Sequence, residues 1–269
     1  MSIFGVAGCG AMGLPMAQAL LKAGFDVSGF DVRPVNEFAD FSDKMVTDAH
    51  HFANKCDVVI CVVRDEQQVL DLCFEDQAIF NAENPPQTFV LSSTVSPNFV
   101  HKLREKLPSE VVLIDAPMSG APLAAVAATL TFMVGGPLQA ITALQPAFDA
   151  MGGKIHHLGE LGSGMATKVL NNFVAASTVV AVRNVLAQAD KLGMDKQSLL
   201  QVIGQSSGQT WFGSNFDQIN WANEGYDLTN TIGILEKDVS AFIDSLPDGP
   251  EPLHKAIISA LQSLPPITS

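Results

Sequence analysis

Charge is scarce in this sequence, and basic charge scarcest. Only 16% of the 269 residues are Asp, Glu, Lys or Arg, and 15 basic residues face 28 acidic ones, for a net charge of −13. No run of Lys or Arg offers a phosphate-binding patch, so neither nucleic acid nor an anionic membrane is an expected partner. Cysteine is also sparse. Cys9, Cys56, Cys61 and Cys73 show no C-x-x-C pair and sit among apolar residues, which predicts buried thiols in a reducing compartment. The six histidines lack any H-E-x-x-H or similar spacing, so no metal site is expected. The chain opens directly on a strand-like Ile3-Phe4-Gly5-Val6-Ala7 with no basic leader, and a cytoplasmic location is expected. Its longest mostly apolar stretch, Val169 to Val182, contains Asn171 and Asn172 and reads as too short to span a bilayer.

What is plentiful is apolar residue, at 47% of the chain. That is enough for a large core and excludes a disordered or collagen-like chain. At about 150 residues per domain the length suggests two domains. With so few charges available for the surface, some apolar surface is expected to be buried between subunits.

Up to about residue 160 short β-branched runs alternate with helical segments. Strands are predicted at Ile3–Ala7, Val27–Phe30, Val58–Val63, Thr88–Ser92, Val111–Asp115, Leu130–Val134 and near Lys154–Leu158. Helices are predicted between them at Gly13–Ala23, Glu66–Leu72 and Pro97–Leu107. This is the pattern of an α/β domain built on a parallel sheet. From Gly162 the texture becomes helical, with one long segment to about Leu192, then Leu199–Ile203, Leu228–Ser245 and Leu253–Leu264. The expected division is residues 1–161, a dinucleotide-binding domain, and residues 162–269, an all-α domain.

Gly8-Cys9-Gly10-Ala11-Met12-Gly13 is G-x-G-x-x-G, placed directly after the first strand and at the start of a helix. In that setting Gly8 permits the tight turn, Gly10 lets backbone approach a pyrophosphate, and Gly13 lets helix and strand pack closely. Ala11 and Met12 complete the loop, and the helix N-terminus faces the negative charge. Asp31 lies at the end of the second strand, 23 residues beyond Gly8, where a carboxylate can accept hydrogen bonds from an adenosine ribose. That favours NAD, but Arg33 can pair with a 2′-phosphate and keeps NADP open.

Lys168, Asn171 and Asn172 stand near the foot of the long helix, with Lys168 and Asn172 one turn apart on one face. That face continues into Ala175 and Val179, so it does not read as a solvated stripe. A buried lysine with a lowered pKa suits the proton transfer of alcohol oxidation. Two loops follow strands. In Ser92-Ser93-Thr94-Val95-Ser96-Pro97, Ser96 and Pro97 read as a helix start, while Ser93 and Thr94 are expected to face a cleft. In Asp115-Ala116-Pro117-Met118-Ser119-Gly120 a hydroxyl and backbone amides can hold a carboxylate; either loop alone reads equally as turn chemistry. Lys237, with Gly233, Ser240 and Ala241 around it, has room for a ligand or lies on the surface.

Together these stretches, with Thr129-Leu130-Thr131 and Gly135-Gly136, resemble the β-hydroxyacid dehydrogenase family, which includes 3-hydroxyisobutyrate dehydrogenase and tartronate semialdehyde reductase. The resemblance implies an N-terminal Rossmann-type α/β domain, a long inter-domain helix and an all-α domain that mediates a homodimer or homotetramer. The enzyme it implies is nicotinamide-dependent and interconverts a short 3-hydroxyacid and its 3-oxo form. It implies Lys168 as general acid/base with Asn172 as its partner. Ser119 and Gly120 would bind the substrate carboxylate, with Ala121 where the family commonly has glycine. Thr94 would lie by the nicotinamide, Val62 and Val63 on the adenosine side, and Lys237 at cofactor or substrate. Ala127-Ala128 also replaces glycine-rich positions, Arg64 stands where proline is usual, and the helical domain reads as shortened. Those departures support a second reading, a catalytically degenerate module that keeps NAD as a sensor or assembly partner.

Overall fold

The computed structural model describes residues 2–267, which fall into two compact units, residues 1–168 and 169–269 by chain division. In the first, β1 (Ile3–Ala7) leads through the glycine-rich loop into α1 (Gly13–Lys22) and β2 (Asp26–Phe30). A two-residue β3 (Met45–Val46) and α2 (Ala49–Lys55) precede β4 (Val58–Cys61), α3 (Glu66–Cys73) and β5 (Thr88–Leu91). Then come α4 (Pro97–Lys106), β6 (Val112–Asp115), β7 (Met118–Ser119) and α5 (Ala121–Val126). The unit continues with β8 (Leu130–Gly135), α6 (Leu138–Met151) and β9 (Gly152–Gly159).

The sheet runs β3-β2-β1-β4-β5-β6-β8-β7, with β9 on β8. The strands from β3 to β6 along this order are all parallel, the order of a doubly wound dinucleotide-binding sheet. Beyond them the sheet departs from the all-parallel expectation: β8 runs antiparallel to β6 and β7, while β9 is parallel to β8. Both faces are covered, which is why the strands read as continuous apolar runs. Phe4, Val6, Val58 and Ile60 point into one core with Met16 and Leu20 of α1 and Ile141 and Phe148 of α6. Their neighbours Ala7, Val59 and Cys61 point the other way, against Phe52 of α2, Leu72 of α3 and Leu103 of α4. All four cysteines are free and buried.

Side chains start most of the helices. Ser96 accepts from the Asn98 amide at 3.1 Å ahead of Pro97, as the sequence predicts for α4. Asp48 and Asp65 do the same for α2 and α3.

The long helix α7 (Ser163–Lys191) is followed by α8 (Lys196–Gly204), α9 (Trp211–Ser214), α10 (Thr231–Asp244) and α11 (Pro252–Gln262). The apolar stretch at Val169–Val182 is therefore part of a 29-residue helix, long and apolar enough to cross a bilayer on length and composition. Its contacts are those of a core helix. Val179, Val182 and Leu186 pack with Leu200, Phe212 and Phe216, and Ala176 with Ile232, Val239 and Leu261. Arg183, nearly fully buried, donates to the carbonyls of Ala222 (2.7 Å), Glu224 (2.8 Å) and Pro265, which ties the chain's last described turn to the helix. Burial holds its guanidinium below its ordinary pKa.

Candidate active site

The glycine loop places its residues by exclusion. Gly8 has φ +90°, and a Cβ there would stand 2.6 Å from the Val62 carbonyl oxygen at the end of β4. A Cβ on Gly13 would fall 2.0 Å from the Gly8 carbonyl oxygen. Around Gly10, by contrast, a Cβ would meet nothing within 4 Å, so the backbone there is open to a ligand. Among the described residues no side chain caps α1 at Met12, and its first turn holds no acid. The loop thus offers a positive helix end with clear approach, a cradle that fits a dinucleotide pyrophosphate. Val62 packs at the core margin, and its amide donates to Ala7 at 2.8 Å, so β4 and β1 end side by side under the loop; Val63 packs against the opposite core.

Asp31, at the end of β2, does not stand alone. Arg33 Nε lies 3.0 Å from Asp31 Oδ1, and its NH2 donates to Asp31 Oδ2 at 3.2 Å and to the Cys9 carbonyl at 2.9 Å. The guanidinium also lies over the Phe38 ring, 4.8 Å from its centroid. The carboxylate and the loop carbonyl hold the arginine across the end of the loop, and the hydrogen bond to Asp31 raises its pKa further. The two residues that pointed to opposite cofactors in the sequence therefore form one pair.

The loop after β5 turns out differently from expectation. Ser93 does not face a cleft: it is buried, and its hydroxyl donates to the Cys61 carbonyl at 3.4 Å, while Ser92 donates to the Ala116 carbonyl at 2.9 Å. Both hydroxyls lock neighbouring strands. Thr94, half-buried, is the loop residue left at the surface. After β6, Ser119 pairs with Thr131 across β7 and β8, Gly120 takes φ +140°, and Ala121 takes φ +52°, a left-handed conformation for a residue with a Cβ. Ser119 and Gly120 are half-buried and Ala121 exposed, on a turn leading from the sheet.

The foot of α7 is tied to the sheet. Asp115, the last residue of β6 and fully buried, accepts the Gly162 amide at 2.7 Å on Oδ1 and the Met165 amide at 2.6 Å on Oδ2. Burial pushes its carboxyl above the ordinary range, while those two amides pull it back. Lys168 follows one turn later and is buried, 7% exposed.

Asn172, four residues further along the same helix, is also buried. Its Nδ2 donates to Asp238 Oδ2 at 2.6 Å, and its Oδ1 accepts from Asn171 at 3.1 Å. Lys237 Nζ lies 2.9 Å from the other Asp238 oxygen. Lys237 is neither a plain surface lysine nor a buried one, since 29% of its side chain is exposed. Asp238 thus gathers Asn172 and Lys237. Sequence reading passed over Asp238 and Asp115, whose partners lie 66, 47 and 50 positions away. The only local signal was the glycine at the head of α7, which cannot cap its own helix. No cluster of three or more potential metal ligands occurs among the described residues.

Comparison with known proteins points to one family. Residues 3–159 match the family described as the NAD binding domain of 6-phosphogluconate dehydrogenase. Residues 162–251 match the one described as NAD-binding of NADP-dependent 3-hydroxyisobutyrate dehydrogenase. The L-threonate dehydrogenase of Cupriavidus necator is 31% identical over 246 residues, spanning 90% of this chain and 82% of that one. A probable 3-hydroxyisobutyrate dehydrogenase of Mycobacterium tuberculosis is 36% identical over 207 residues, 76% of this chain and 69% of its own. The solved structure of Mycobacterium tuberculosis 3-hydroxyisobutyrate dehydrogenase with L-serine superposes with a TM-score of 0.79 at 28% identity, covering 98% of this chain and 96% of that one.

Proposed function

The chain belongs to the β-hydroxyacid dehydrogenase family, and from that premise we propose that it oxidises a short 3-hydroxyacid, with Lys168 as the general acid/base. It is a nicotinamide-dependent oxidoreductase; the degenerate-module reading is not favoured by relatives that are named dehydrogenases. The observation that carries the proposal is a buried lysine on a helix whose first turn is bonded to the sheet.

When bound, the nicotinamide supplies the two-electron acceptor for the hydride of the carbinol carbon. The chain supplies the rest. The Lys168 amine takes the hydroxyl proton as the carbon–oxygen double bond forms, and returns it in the reductive direction. Asn172, its amide held by Asp238, offers a neutral, fixed neighbour to the substrate oxygen. The Ser119 hydroxyl and the backbone of Gly120 and Ala121 hold the substrate carboxylate, and Thr94 sits beside the nicotinamide. Lys237 reaches cofactor or substrate, with Asp238 steadying its ammonium.

NAD is the preferred cofactor in this reading, because Asp31 presents a carboxylate where a ribose hydroxyl would donate. Arg33, already within reach of that position, leaves a route for NADP. The substrate is a small carboxylate, and L-serine, 3-hydroxyisobutyrate and L-threonate are the first to try. The protein works as a homodimer or homotetramer, supported by exposed Leu170, Val174 and Val185 along α7, and in the cytoplasm, supported by four buried free thiols.

The test is Lys168→Ala assayed by nicotinamide absorbance on that substrate panel. Turnover is expected to fall by about 10²- to 10⁴-fold while NAD still binds. Unchanged turnover would remove the lysine from the mechanism. Asp31→Ala measured with both cofactors should narrow the preference for NAD.

A further inference from the structure

An α-helix leaves its first amides without intrahelical partners, and a Ser, Thr, Asp or Asn just ahead of it ordinarily satisfies one of them. Gly162 stands in that position before α7 and has no side chain to do so. The amides are met from across the fold instead. Asp115 spends one carboxylate oxygen on Gly162 and the other on Met165, at 2.7 and 2.6 Å. Room for the carboxylate comes from Gly135 of β8, where a Cβ would stand 2.5 Å from Asp115 Oδ1.

We propose that Asp115 is a positioning residue for the reaction, a cap borrowed from β6 that fixes Lys168 against the sheet. The inference deepens the proposed function and rests on Lys168 being the acid/base. A fully buried carboxylate is a costly way to cap a helix that a local serine would cap equally well. What a local cap cannot do is set where the helix begins relative to a strand. Asp115 does this at two points, and it lies four residues before Ser119, on the strand leading to the turn assigned to the substrate carboxylate. Met165 adds a third tie, its sulfur accepting the Val95 amide at 3.5 Å from the loop that carries Thr94. Lys168 is three residues beyond Met165, on the same side of the helix. One carboxylate thereby links the proton-transfer group to the strand that orders the substrate turn.

Asp115→Asn tests this, because an amide of the same size accepts only one of the two backbone donors and carries no charge. Turnover per cofactor-binding site should fall about 10- to 100-fold, since small misplacement of a reacting group costs that much. KM for the hydroxyacid and Kd for NAD should stay within about threefold, the signature of an interaction that matters in the transition state. Asp115→Ala should fall further than Asp115→Asn, so the conservative variant rescues in part. Wild-type turnover per site in Asp115→Asn, with only a lowered melting temperature, would make the residue merely structural and overturn the proposal. Amide hydrogen exchange on the wild-type protein with NAD bound is independent of whether either variant folds. Slow exchange at Gly162 and Met165 is expected, and exchange at the rate of an unstructured chain overturns the cap. Lys168→Ala assayed in parallel separates the two claims. If it keeps turnover the acid/base reading falls whatever Asp115 does; if it is dead while Asp115→Asn is unimpaired, only the positioning role falls.

Discussion

Two helices in the N-terminal unit begin behind glycine-flanked turns, and they treat their first amides in opposite ways. Ahead of α1 the turn is Gly8 to Gly13, with no side-chain cap among the described residues, no acid in the first turn and open space at Gly10. Ahead of α7 the turn ends in Gly162-Ser163-Gly164, and a buried carboxylate already occupies the amides of Gly162 and Met165. A glycine-rich turn before a helix is therefore not by itself an anion site. What decides is whether the protein has left the helix end unsatisfied. At α1 no side chain among the described residues takes that place, and in the proposed reading a phosphate approaches it, while the α7 start is closed by Asp115.

Breaking the open start should have the largest effect. Gly13→Ala forces a Cβ to 2.0 Å from the Gly8 carbonyl oxygen, with no flexible side chain to yield. Overpacking against backbone should cost about 3 kcal/mol or more, and NAD affinity should be lost with the geometry of the turn. Urea unfolding and NAD titration measure both. Next in size is a charge placed at the open start. Met12→Asp puts a carboxylate beside the proposed pyrophosphate position; it adds little as a cap, because Pro15 has no amide and the Leu14 amide already donates to Gly10 at 3.1 Å. NAD should bind about tenfold more weakly, while stability changes by only about 1 kcal/mol. Equal affinity in Met12→Asp would mean that the α1 end is not where the phosphates sit.

The sequence made the first of these starts plain and hid the second. Gly8 and Gly13 are legible because a residue with a Cβ is excluded at each, so composition records the backbone. Strands β1, β2, β4, β5 and β6 are legible because both faces are buried and β-branched or aromatic residues recur in each, including β2, where Ser28 and Gly29 interrupt the run. Strands β3 and β7 are two residues each, too short to show a period. Helix α6 passed unnoticed because Pro146 lies inside it and interrupts the helical pattern. Ser93 read as facing a cleft because alternation gives no direction once a strand has ended. Lys168 and Asn172 showed themselves by helical spacing. Asp115 and Asp238 did not, since what they do is settled by partners dozens of residues away. The residues to which the proposed chemistry is assigned were readable, and the residues that hold them were not.

A smaller effect separates the turns by their burial. Cys9 lies inside the first turn, its thiol 3.4 Å from the Val6 carbonyl, and burial, reinforced by the charge of Asp31, pushes its pKa to about 12 from 9.0. The folded state therefore holds this proton more tightly than the unfolded chain. Its contribution to stability is fully present below pH 9.0 and is lost as the pH rises toward about 12. Between pH 8 and pH 10 each such thiol should cost the fold about 1 kcal/mol. Cys9→Ala should lose stability less steeply over that range in urea titrations. Equal slopes would mean that the thiol is not closed off and that the open start is looser than its glycines imply.

The smallest expected effect concerns a third helix, α5, whose far end is closed mainly by backbone, with the Thr129 hydroxyl also donating to the Ala124 carbonyl at 3.5 Å. The Thr129 amide donates to Ala124 at 2.9 Å and the Ala128 amide to Ala125 at 3.2 Å, the paired bonds of a Schellman motif. That motif puts Ala128 at φ +52°, where glycine is the usual occupant because a Cβ there is strained. Ala128→Gly removes the strain but gives the unfolded chain more freedom, so the two effects oppose each other. The strain is the larger, and the variant should be more stable by about 0.5–1 kcal/mol. Ala121, at φ +52° at the near end of α5, should respond in the same direction. Thermal unfolding of the single and double glycine variants measures this, and additive gains would place both ends of α5 among the turns governed by backbone conformation. A loss of stability at Ala128 would mean that its methyl group packs usefully, and that here a side-chain contact outweighs the backbone.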